Sequence, residues 1–421
     1  MIIKQITPET EYLANFTSAV AFEGVTDFVK SKEEALAAMK QAENAEADKD
    51  ESENAGEDKD PTAARWGAFT DDMSECMATL WSTPFRVRFD HNVVFLGGIG
   101  GVSCLPHHRE KGAVKAVMAA ALKEDFRRGY AIDYLYPFSR AYYRQYGFEN
   151  AVERRVYNID FSAISALTKQ PAVGTFEMVR PDSDYFELDV IASRAWEETN
   201  LSTCWLKPGE SLKRSGGADK KFYIYIYRTD DGVGRGYIAF TGEDGLMNCV
   251  NDFGHPAGFV FDTADTFVQL LRFCARMFTS RYNSLKISIP GYVRPEALIP
   301  EMNNVSVRVD TQGMARIIDV RQVFEKLLYK GDGEVRVGVS DKLIDENNGI
   351  WHVVWKCGKP MTVEKTTDEP DIECGIGPLS VMAIGAVGTA AIRWLPGVKI
   401  NGSPDLSGIF YSKESFVTSL F

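Results

Sequence analysis

The sequence has few of the residues that build metal centres or disulfide frameworks. Its seven cysteines are scattered, odd in number and without a CxxC pair, which indicates neither a zinc site nor a disulfide framework. The five histidines show no HExxH or related spacing, so we expect no metal. Isolated free thiols are typical of a reducing compartment, and this predicts a cytoplasmic protein.

Long apolar runs and an excess of positive charge are also missing. The apolar stretches VVFLGGIGGV and VMAIGAVGTAAI are too short or too rich in glycine for a membrane span of about 20 residues. The start, MIIKQITPETEYL, has no basic region before an apolar core, so no signal peptide is expected. A net charge of −12 argues against a nucleic-acid partner, which would favour a basic surface.

Much of this negative charge is concentrated in one segment. Residues 31–60 hold eleven acidic and four basic side chains, a net −7, which leaves −5 for the rest of the chain. Such a run is typical of a solvated insertion, although a docking site for a basic partner is a second interpretation. Outside it, the 421-residue chain has the composition of a folded protein of two to four domains.

The most informative stretch is CLPHHREKGAVKAVM, residues 104–118. It follows a strand-like run in which Gly97, Gly98, Gly100 and Gly101 predict a close approach to the backbone. The helix expected after Gly112 carries an apolar stripe and ends with Gly129 as its C′ residue, and the strand AIDYLYP follows it. This strand, turn, helix, strand order is either an ordinary connection or a phosphate site, because helix-start amides and a basic turn bind anions.

The remainder of the chain contains two further units. The first of them repeats the first unit without its basic turn. It has a helix near 183–200, the hairpin KFYIYIYR–GRGYIAF, a helix with Thr263 as its N-cap and the strand SLKISIP. From about residue 311, the segments EVRVGVSD, IWHVVWKC and MTVEK predict strands. The segments GPLSVMAIG and PDLSGIFYS predict short helices there. We therefore expect a mixed α+β chain.

The glycine-rich strand, the R-x-x-G turn and the helix after it resemble motif A of the GNAT N-acetyltransferases. The segment LYPFSRAYYRQYGFE resembles its counterpart in Eis-type (enhanced intracellular survival) acetyltransferases. The resemblance implies two tandem GNAT-like units, 1–160 with the acidic insertion at about 31–62 and 161–310 without a phosphate loop. A sterol-carrier-like domain at 311–421 would follow.

The resemblance also implies the reaction and its residues. Acetyl-CoA would be the co-substrate, and a primary amine would attack its thioester directly. The α-carboxylate of Phe421 would act as the base and the Tyr143 hydroxyl as the acid. The expected acetyl-CoA contacts are Val102, Ser103, Cys104, Arg109, Glu110, Lys111, Gly112, Ala113, Val114, Lys115, Phe138 and Ser139.

Reference pKa values set conditions on these roles. An α-carboxyl group titrates near ~3.5, about three to four units below the working pH, which leaves it roughly 4–5 kcal/mol short of a matched base. We therefore expect this carboxylate to be desolvated or to act through a water. A tyrosine near ~10 protonates a thiolate whose thiol titrates near ~8.5 at a cost of only about 2 kcal/mol.

Several residues depart from the family pattern or have a simpler interpretation. Glu110 stands where the family often has arginine, and Val114 where it has glycine or alanine. We expect no catalytic role for His107 and His108 in the turn. We interpret Cys104 as a packing residue rather than as an acetyl carrier. Three large aromatic residues precede the glycine-rich strand: Trp66, Trp81 and Phe85. They either line the acceptor pocket or form part of the core, and we favour the core for most of them.

The resemblance leaves three functions open. The first is acetylation of a small amine such as an aminoglycoside or a polyamine. The second is acetylation of protein lysines, and the third is a non-catalytic acyl-CoA-binding or lipid-binding role. The resemblance also implies that the protein forms a homo-oligomer, specifically a hexamer.

Overall fold

A computed structural model describes residues 1–24, 32–33, 37, 62–180, 183, 185–204, 223–250 and 258–418 of the chain. The acidic insertion expected at about 31–62 lies almost wholly outside these ranges. The described strands form one 13-stranded sheet and one five-stranded sheet. The architecture is mixed α/β, as the sequence predicts.

The first unit is an antiparallel meander that ends in one parallel pair. Strands β1 to β4 pair antiparallel in chain order, and β5 then runs parallel to β4. The helix between them, α2, buries Val117, Met118, Ala121 and Leu122 against the sheet, which confirms the predicted apolar stripe. The bounds are β1 Ile2–Gln5, α1 Pro8–Ala21, β2 Ala64–Phe69, β3 Cys76–Phe89, β4 Asn92–Cys104, α2 Ala113–Arg127, β5 Ile132–Leu135, α3 Arg140–Arg144 and β6 Glu149–Asp160.

The second unit repeats the parallel strand–helix–strand arrangement. Strand β10 pairs parallel with β12, and α6 connects them. Helix α6 starts after Thr263, whose hydroxyl accepts a hydrogen bond from the Thr266 amide at 3.1 Å, so the predicted N-cap is confirmed. The bounds are α4 Phe161–Ile164, β7 Thr175–Met178, α5 Phe186–Ala195, β8 Tyr223–Arg228, β9 Gly234–Glu243, β10 Leu246–Cys249, β11 Phe259–Phe261, α6 Ala264–Met277 and β12 Ser284–Pro290.

One strand crosses the boundary that the sequence suggested near residue 311. Strand β13, Val305–Ile317, lies between β5 and β6 and pairs antiparallel with both. Residues 311–317 therefore complete the sheet of the first unit before the chain enters the last domain.

The last domain is a smaller sheet with two helices. Its strands lie in the order β16-β15-β14-β17-β18. Its core is continuous with that of the first unit, because Val337 and Val353 belong to the same buried cluster as Phe89 and Leu96. The bounds are α7 Val320–Lys326, β14 Gly333–Ser340, β15 Gly349–Lys356, β16 Lys359–Thr366, β17 Ile372–Gly375, α8 Ile376–Ile384 and β18 Lys399–Ile400.

The prediction of a short helix at PDLSGIFYS is wrong. Asp405 accepts hydrogen bonds from the Ser407 amide at 2.9 Å and the Ser407 hydroxyl at 2.6 Å, and the segment forms turns instead. A side chain that satisfies a nearby amide in this way competes with helix formation.

Candidate active site

The site begins where the two parallel strands of the first unit separate. The register of β4 with β5 runs from Leu96–Ile132 to Ile99–Leu135 and ends there. Strand β4 continues to Cys104 with β3 on its other side. Beyond Ile99, none of the described strands pairs with the β4 edge that faced β5, so an extended ligand could pair there.

A β-bulge shapes the same part of β4. Trp81 pairs with Gly100 and Thr79 pairs with Ser103, so two β4 residues oppose a single β3 residue. Gly101 lies in the left-handed region, with φ at +57°. The bulge changes the direction of β4 just before the predicted cofactor contacts.

The glycines of β4 accommodate side chains of the protein itself. A Cβ atom on Gly100 or Gly101 would collide with the indole ring of Trp81. One on Gly97 would meet the Asp133 carboxylate. The close approach predicted from these glycines is therefore real, but at these positions it comes from within the fold.

The predicted phosphate turn joins β4 to α2. A short 3-10 helix, Pro106–His108, leads into Arg109, and Glu110 and Gly112 then adopt φ values of +64° and +80°. Residues 109–112 are exposed, and a Cβ atom on Gly112 would meet nothing within 4 Å. The turn is therefore open to solvent on the side where a phosphate would approach.

The start of α2 provides the amides that a phosphate requires. The first helical hydrogen bond runs from the Ala116 amide to the Gly112 carbonyl oxygen at 3.0 Å. The amides of Ala113, Val114 and Lys115 precede it, at the positive end of the helix dipole. The side chain of Lys115 is exposed, and that of Val114 is half-buried. The predicted contacts 109–115 are thus contiguous along the turn and the start of α2, although the Ala113 side chain is buried.

Tyr143 lies in an aromatic cluster directly after β5. It is 3% exposed, and its ring makes edge contacts with Phe138 and Tyr142, both at 5.3 Å between centroids. Burial raises the pKa of Tyr143 above its usual value, so the hydroxyl stays protonated at neutral pH. Within the described part of the chain, this hydroxyl has no hydrogen-bond partner, whereas Tyr146 donates to Tyr142 at 3.1 Å.

Phe138 and Ser139 hold the short helix that carries Tyr143. Ser139 precedes α3 and accepts a hydrogen bond from the Tyr142 amide at 3.4 Å. The side chain of Phe138 is 72% exposed. An apolar side chain this large and this exposed is one that a bound ligand could cover. After the helix, Gly147 turns with φ at +83° and packs against the guanidinium of Arg316.

Phe421 lies outside the described residues. The segment that leads towards it is described as far as Thr418, whose hydroxyl accepts a hydrogen bond from the Thr203 amide at 3.0 Å. Thr203 in turn bridges to Val87 of β3. Val417 is buried. The C-terminal segment thus pairs with the stretch around Thr203, which in turn contacts β3 of the first unit.

Two other groups near the turn have definable chemistry. Burial raises the pKa of the Cys104 thiol, and the charge of Arg109 only partly offsets this effect. A neutral thiol is a poor nucleophile, which supports the packing role expected for Cys104. Trp81 lies under the guanidinium of Arg65, 5.8 Å from the indole centroid, while Phe85 is buried core, as we favoured.

A buried pair of carboxyl groups lies behind the site. Asp125 of α2 and Asp133 of β5 converge over Gly97 and are essentially inaccessible to solvent. Burial raises the pKa of Asp125 to about 7. Burial, followed by the nearby Asp125 charge, raises the pKa of Asp133 well above its usual range. The pair therefore retains a proton near neutral pH. No sequence pattern singled out these two residues.

A parallel strand pair that separates, a bulged strand and an exposed basic turn at a helix start together are typical of the GNAT acyltransferase class. Comparison with known families agrees. Residues 26–151 match the family described as an acetyltransferase (GNAT) domain, and residues 320–417 match the sterol carrier protein domain. The chain is thus an acyltransferase with a GNAT domain and a sterol-carrier-like domain. No curated protein matches its sequence significantly.

Solved structures share the fold over the full length. A probable N-acyltransferase from Enterococcus faecalis is 19% identical, with 99% of both chains covered and a TM-score of 0.75. A GCN5-related N-acetyltransferase from Anabaena variabilis is 17% identical, with 100% of both chains covered and a TM-score of 0.77. Eis1 from Mycobacterium abscessus is 15% identical, with 100% of both chains covered and a TM-score of 0.72. At these identities the likeness establishes the fold.

No helix of the described residues has both the length and the apolar character needed to cross a bilayer.

Proposed function

We propose that the chain is an Eis-type enzyme that transfers the acetyl group of acetyl-CoA to a primary amine by direct attack. The observation that carries this proposal is the position of Tyr143. This protonated tyrosine, whose hydroxyl has no hydrogen-bond partner among the described residues, follows the strand that separates from β4, and the open turn 109–112 lies at the far end of the same β4 edge.

Acetyl-CoA would lie along this edge. Its pantetheine arm would pair with the backbone of Val102, Ser103 and Cys104, and its pyrophosphate would accept hydrogen bonds from the start of α2. Arg109 and Lys111 would supply positive charge. Glu110 adopts a left-handed backbone conformation in the exposed turn, where its amide can contribute although its carboxylate repels phosphate.

The roles of Tyr143 and Phe421 follow from proton balance. The amine nitrogen forms a bond to the thioester carbon, and a base removes its proton. The carbon–sulfur bond then breaks, and Tyr143 protonates the departing thiolate. The raised pKa makes Tyr143 a weaker acid than the ~10 of free tyrosine, but burial of the thiolate in the same apolar site raises the thiol pKa in the same direction.

For the base we retain the α-carboxylate of Phe421. The path of Val417 and Thr418 along Thr203 supports a C-terminal segment that approaches the sheet of the first unit. A carboxylate that is desolvated in this apolar environment gains basicity, as the reaction requires.

The acceptor that we favour is a small polycation, such as an aminoglycoside or a polyamine. The net charge of −12 attracts cations and repels anionic acceptors. Protein lysine is the second candidate. A lipid-carrying role finds less support, because a cavity of about 550 Å³ in the last domain is lined by charged side chains that include Lys330, Glu334 and Arg336.

The experiment is thiol release from acetyl-CoA across a panel of amines. Thiol release with aminoglycosides or polyamines would support the proposal. Release only with lysine peptides would show that the acceptor is a protein lysine instead. Binding of acetyl-CoA without release for any amine would instead favour the carrier role. The homo-oligomer, expected to be a hexamer, remains a prediction that light scattering would test. The cytoplasmic location also remains a prediction.

A further inference from the structure

Three potential metal ligands converge beside the phosphate turn. They are one ring nitrogen each from His107 and His108 and one carboxylate oxygen of Glu75, and these three atoms all lie within 4.8 Å of one another. The histidines form the end of the short 3-10 helix that precedes Arg109, while Glu75 immediately precedes β3.

The distances from Glu75 to the two imidazoles are close to those between neighbouring ligands of one small ion. His108 Nε2 lies 2.9 Å from one Glu75 carboxylate oxygen, and His107 Nε2 lies 3.4 Å from the other. Bonds of about 2.0–2.2 Å in a tetrahedral zinc site place neighbouring donor atoms roughly 3.3 Å apart. Small side-chain rotations would therefore bring all three donors onto a common centre.

The backbone holds these side chains in place. The His108 amide donates to the Leu105 carbonyl oxygen at 2.9 Å. The Glu75 amide donates to the Thr70 hydroxyl at 3.1 Å, and the Thr70 amide donates to the Glu75 carbonyl oxygen at 3.1 Å. The imidazole rings lie 4.2 Å apart. Such constraint reduces the entropy lost when a metal is bound.

The surroundings select among metals. Arg109 and Lys111 flank the donors, so charge attraction alone would not hold a cation, and hard ions such as Ca²⁺ or Mg²⁺ prefer oxygen ligands. Two imidazoles and one carboxylate suit Zn²⁺ or another late first-row ion, with a coordination position left open. We propose that Glu75, His107 and His108 form a zinc site at the entrance to the phosphate turn.

Zinc would also reorganise the turn. Lys111 Nζ lies 3.5 Å from Nδ1 of His108, so in the metal-free protein His108 can donate from Nε2 to Glu75. Metal at Nε2 places the imidazole proton on Nδ1, which then repels the Lys111 ammonium. The lysine would turn towards the open face of the turn, where it favours a pyrophosphate. This consequence rests on the proposed function, whereas zinc binding does not.

The first experiment measures zinc binding by untagged protein in competition with a chromogenic chelator. We expect about one zinc ion per chain. Glu75→Gln, His107→Ala and His108→Ala should each weaken binding at least ~10-fold, because even the loss of an outer-shell partner of a metal ligand costs that much. His107 is 59% exposed on its side chain, so its replacement should leave the fold intact.

The controls are groups that could bind zinc elsewhere. His91 lies 4.0 Å from Glu198 and is not part of the three-ligand group found among the described residues, and Cys357 is an exposed thiol. His91→Ala and Cys357→Ser should bind zinc as the wild type does. An absence of bound zinc, or equal affinity in the His107→Ala and His91→Ala proteins, would overturn the site.

The second experiment measures acetyl-CoA affinity with and without zinc; the thioester has no free thiol to bind the metal. Zinc should tighten acetyl-CoA binding at least ~5-fold in the wild type, within the usual range of site–site coupling, and should have no effect in His107→Ala. Equal affinity with and without zinc would overturn the coupling. Failure of the metal-free protein to bind acetyl-CoA would instead overturn the proposed function and leave the zinc measurement unaffected.

Discussion

The ammonium of Lys413 is paired with the carboxylate of Asp90, and both side chains are only 5% exposed. Asp90 occupies the β3–β4 turn and also accepts hydrogen bonds from the Leu328 amide and the Asn200 side chain, each at 2.8 Å. One carboxylate thus joins the first unit, the second unit and the last domain. The pair anchors the C-terminal segment five residues before Thr418.

Replacement of Lys413 should therefore destabilise the whole assembly. Lys413→Met leaves Asp90 buried without its counter-charge, a change that typically costs about 3–5 kcal/mol. Urea denaturation should show this loss. The exposed pair Lys399–Glu373 provides the control, since Lys399→Met should unfold at the wild-type midpoint. Equal midpoints for the two variants would mean that Lys413 and Asp90 do not join the domains.

Removal of the Tyr143 hydroxyl should affect catalysis and not stability. Tyr143→Phe should lower kcat by about 100-fold or more, as expected for loss of a general acid, with little change in acetyl-CoA affinity. Because this hydroxyl has no partner in the described residues, the melting temperature should remain unchanged. Tyr146→Phe is the matched control, because it loses the hydrogen bond to Tyr142, worth about 1 kcal/mol, but should retain activity.

Two glycines with similar backbone angles should respond differently to alanine. Gly112 and Gly147 have φ values of +80° and +83°. A methyl group at Gly112 meets open space, so Gly112→Ala should cost only about 1 kcal/mol of backbone strain. At Gly147 it collides with Arg316 and Ile376, which should add about 1–3 kcal/mol.

Thermal unfolding of both alanine variants measures the difference, and acetyl-CoA titration separates their roles. Gly112→Ala should weaken acetyl-CoA binding although it remains the more stable variant. If Gly112→Ala proved the less stable of the two, our description of these turns would be incorrect.

The buried carboxyl pair predicts an unusual pH dependence of stability. The Asp125 pKa of about 7 lies above the ~3.9 of the unfolded chain. The associated stability is complete below pH ~4 and is lost as the pH rises towards 7. Asp125→Asn should therefore match the wild type at low pH and exceed its free energy of unfolding by up to about 4 kcal/mol at neutral pH.

Denaturation midpoints between about pH 4 and about pH 8 test this. The exposed Glu301→Gln should follow the wild type throughout. A wild-type curve parallel to that of Asp125→Asn across this range would show that Asp125 ionises normally in the fold.

Local sequence patterns predicted most of the elements around the site. The stripe on α2, the cap at Thr263 and the left-handed residue at Gly129 all follow from short-range spacing, and the structure confirms them. The order of the two units could also be predicted from the sequence, because in each unit one amphipathic helix connects two parallel strands.

Long-range pairings could not be predicted in the same way. Strand β13 inserts between β5 and β6, almost 170 residues from β5, and no local pattern encodes that partner. The glycines of β4 indicated a close approach but not the Trp81 ring that makes it. Glu75 joins His107 and His108 from 32 and 33 residues away, so spacing rules for metal motifs do not detect this cluster.

In the reaction that we propose, Tyr143 and the C-terminal segment act on one thioester. Steady-state CoA release from acetyl-CoA with the best amine acceptor tests this for the native chain, for Tyr143→Phe and for a chain extended by one residue after Phe421. We expect tight acetyl-CoA binding in all three and rapid release in the native chain alone. Equal release by the native and both altered proteins would contradict this proposal.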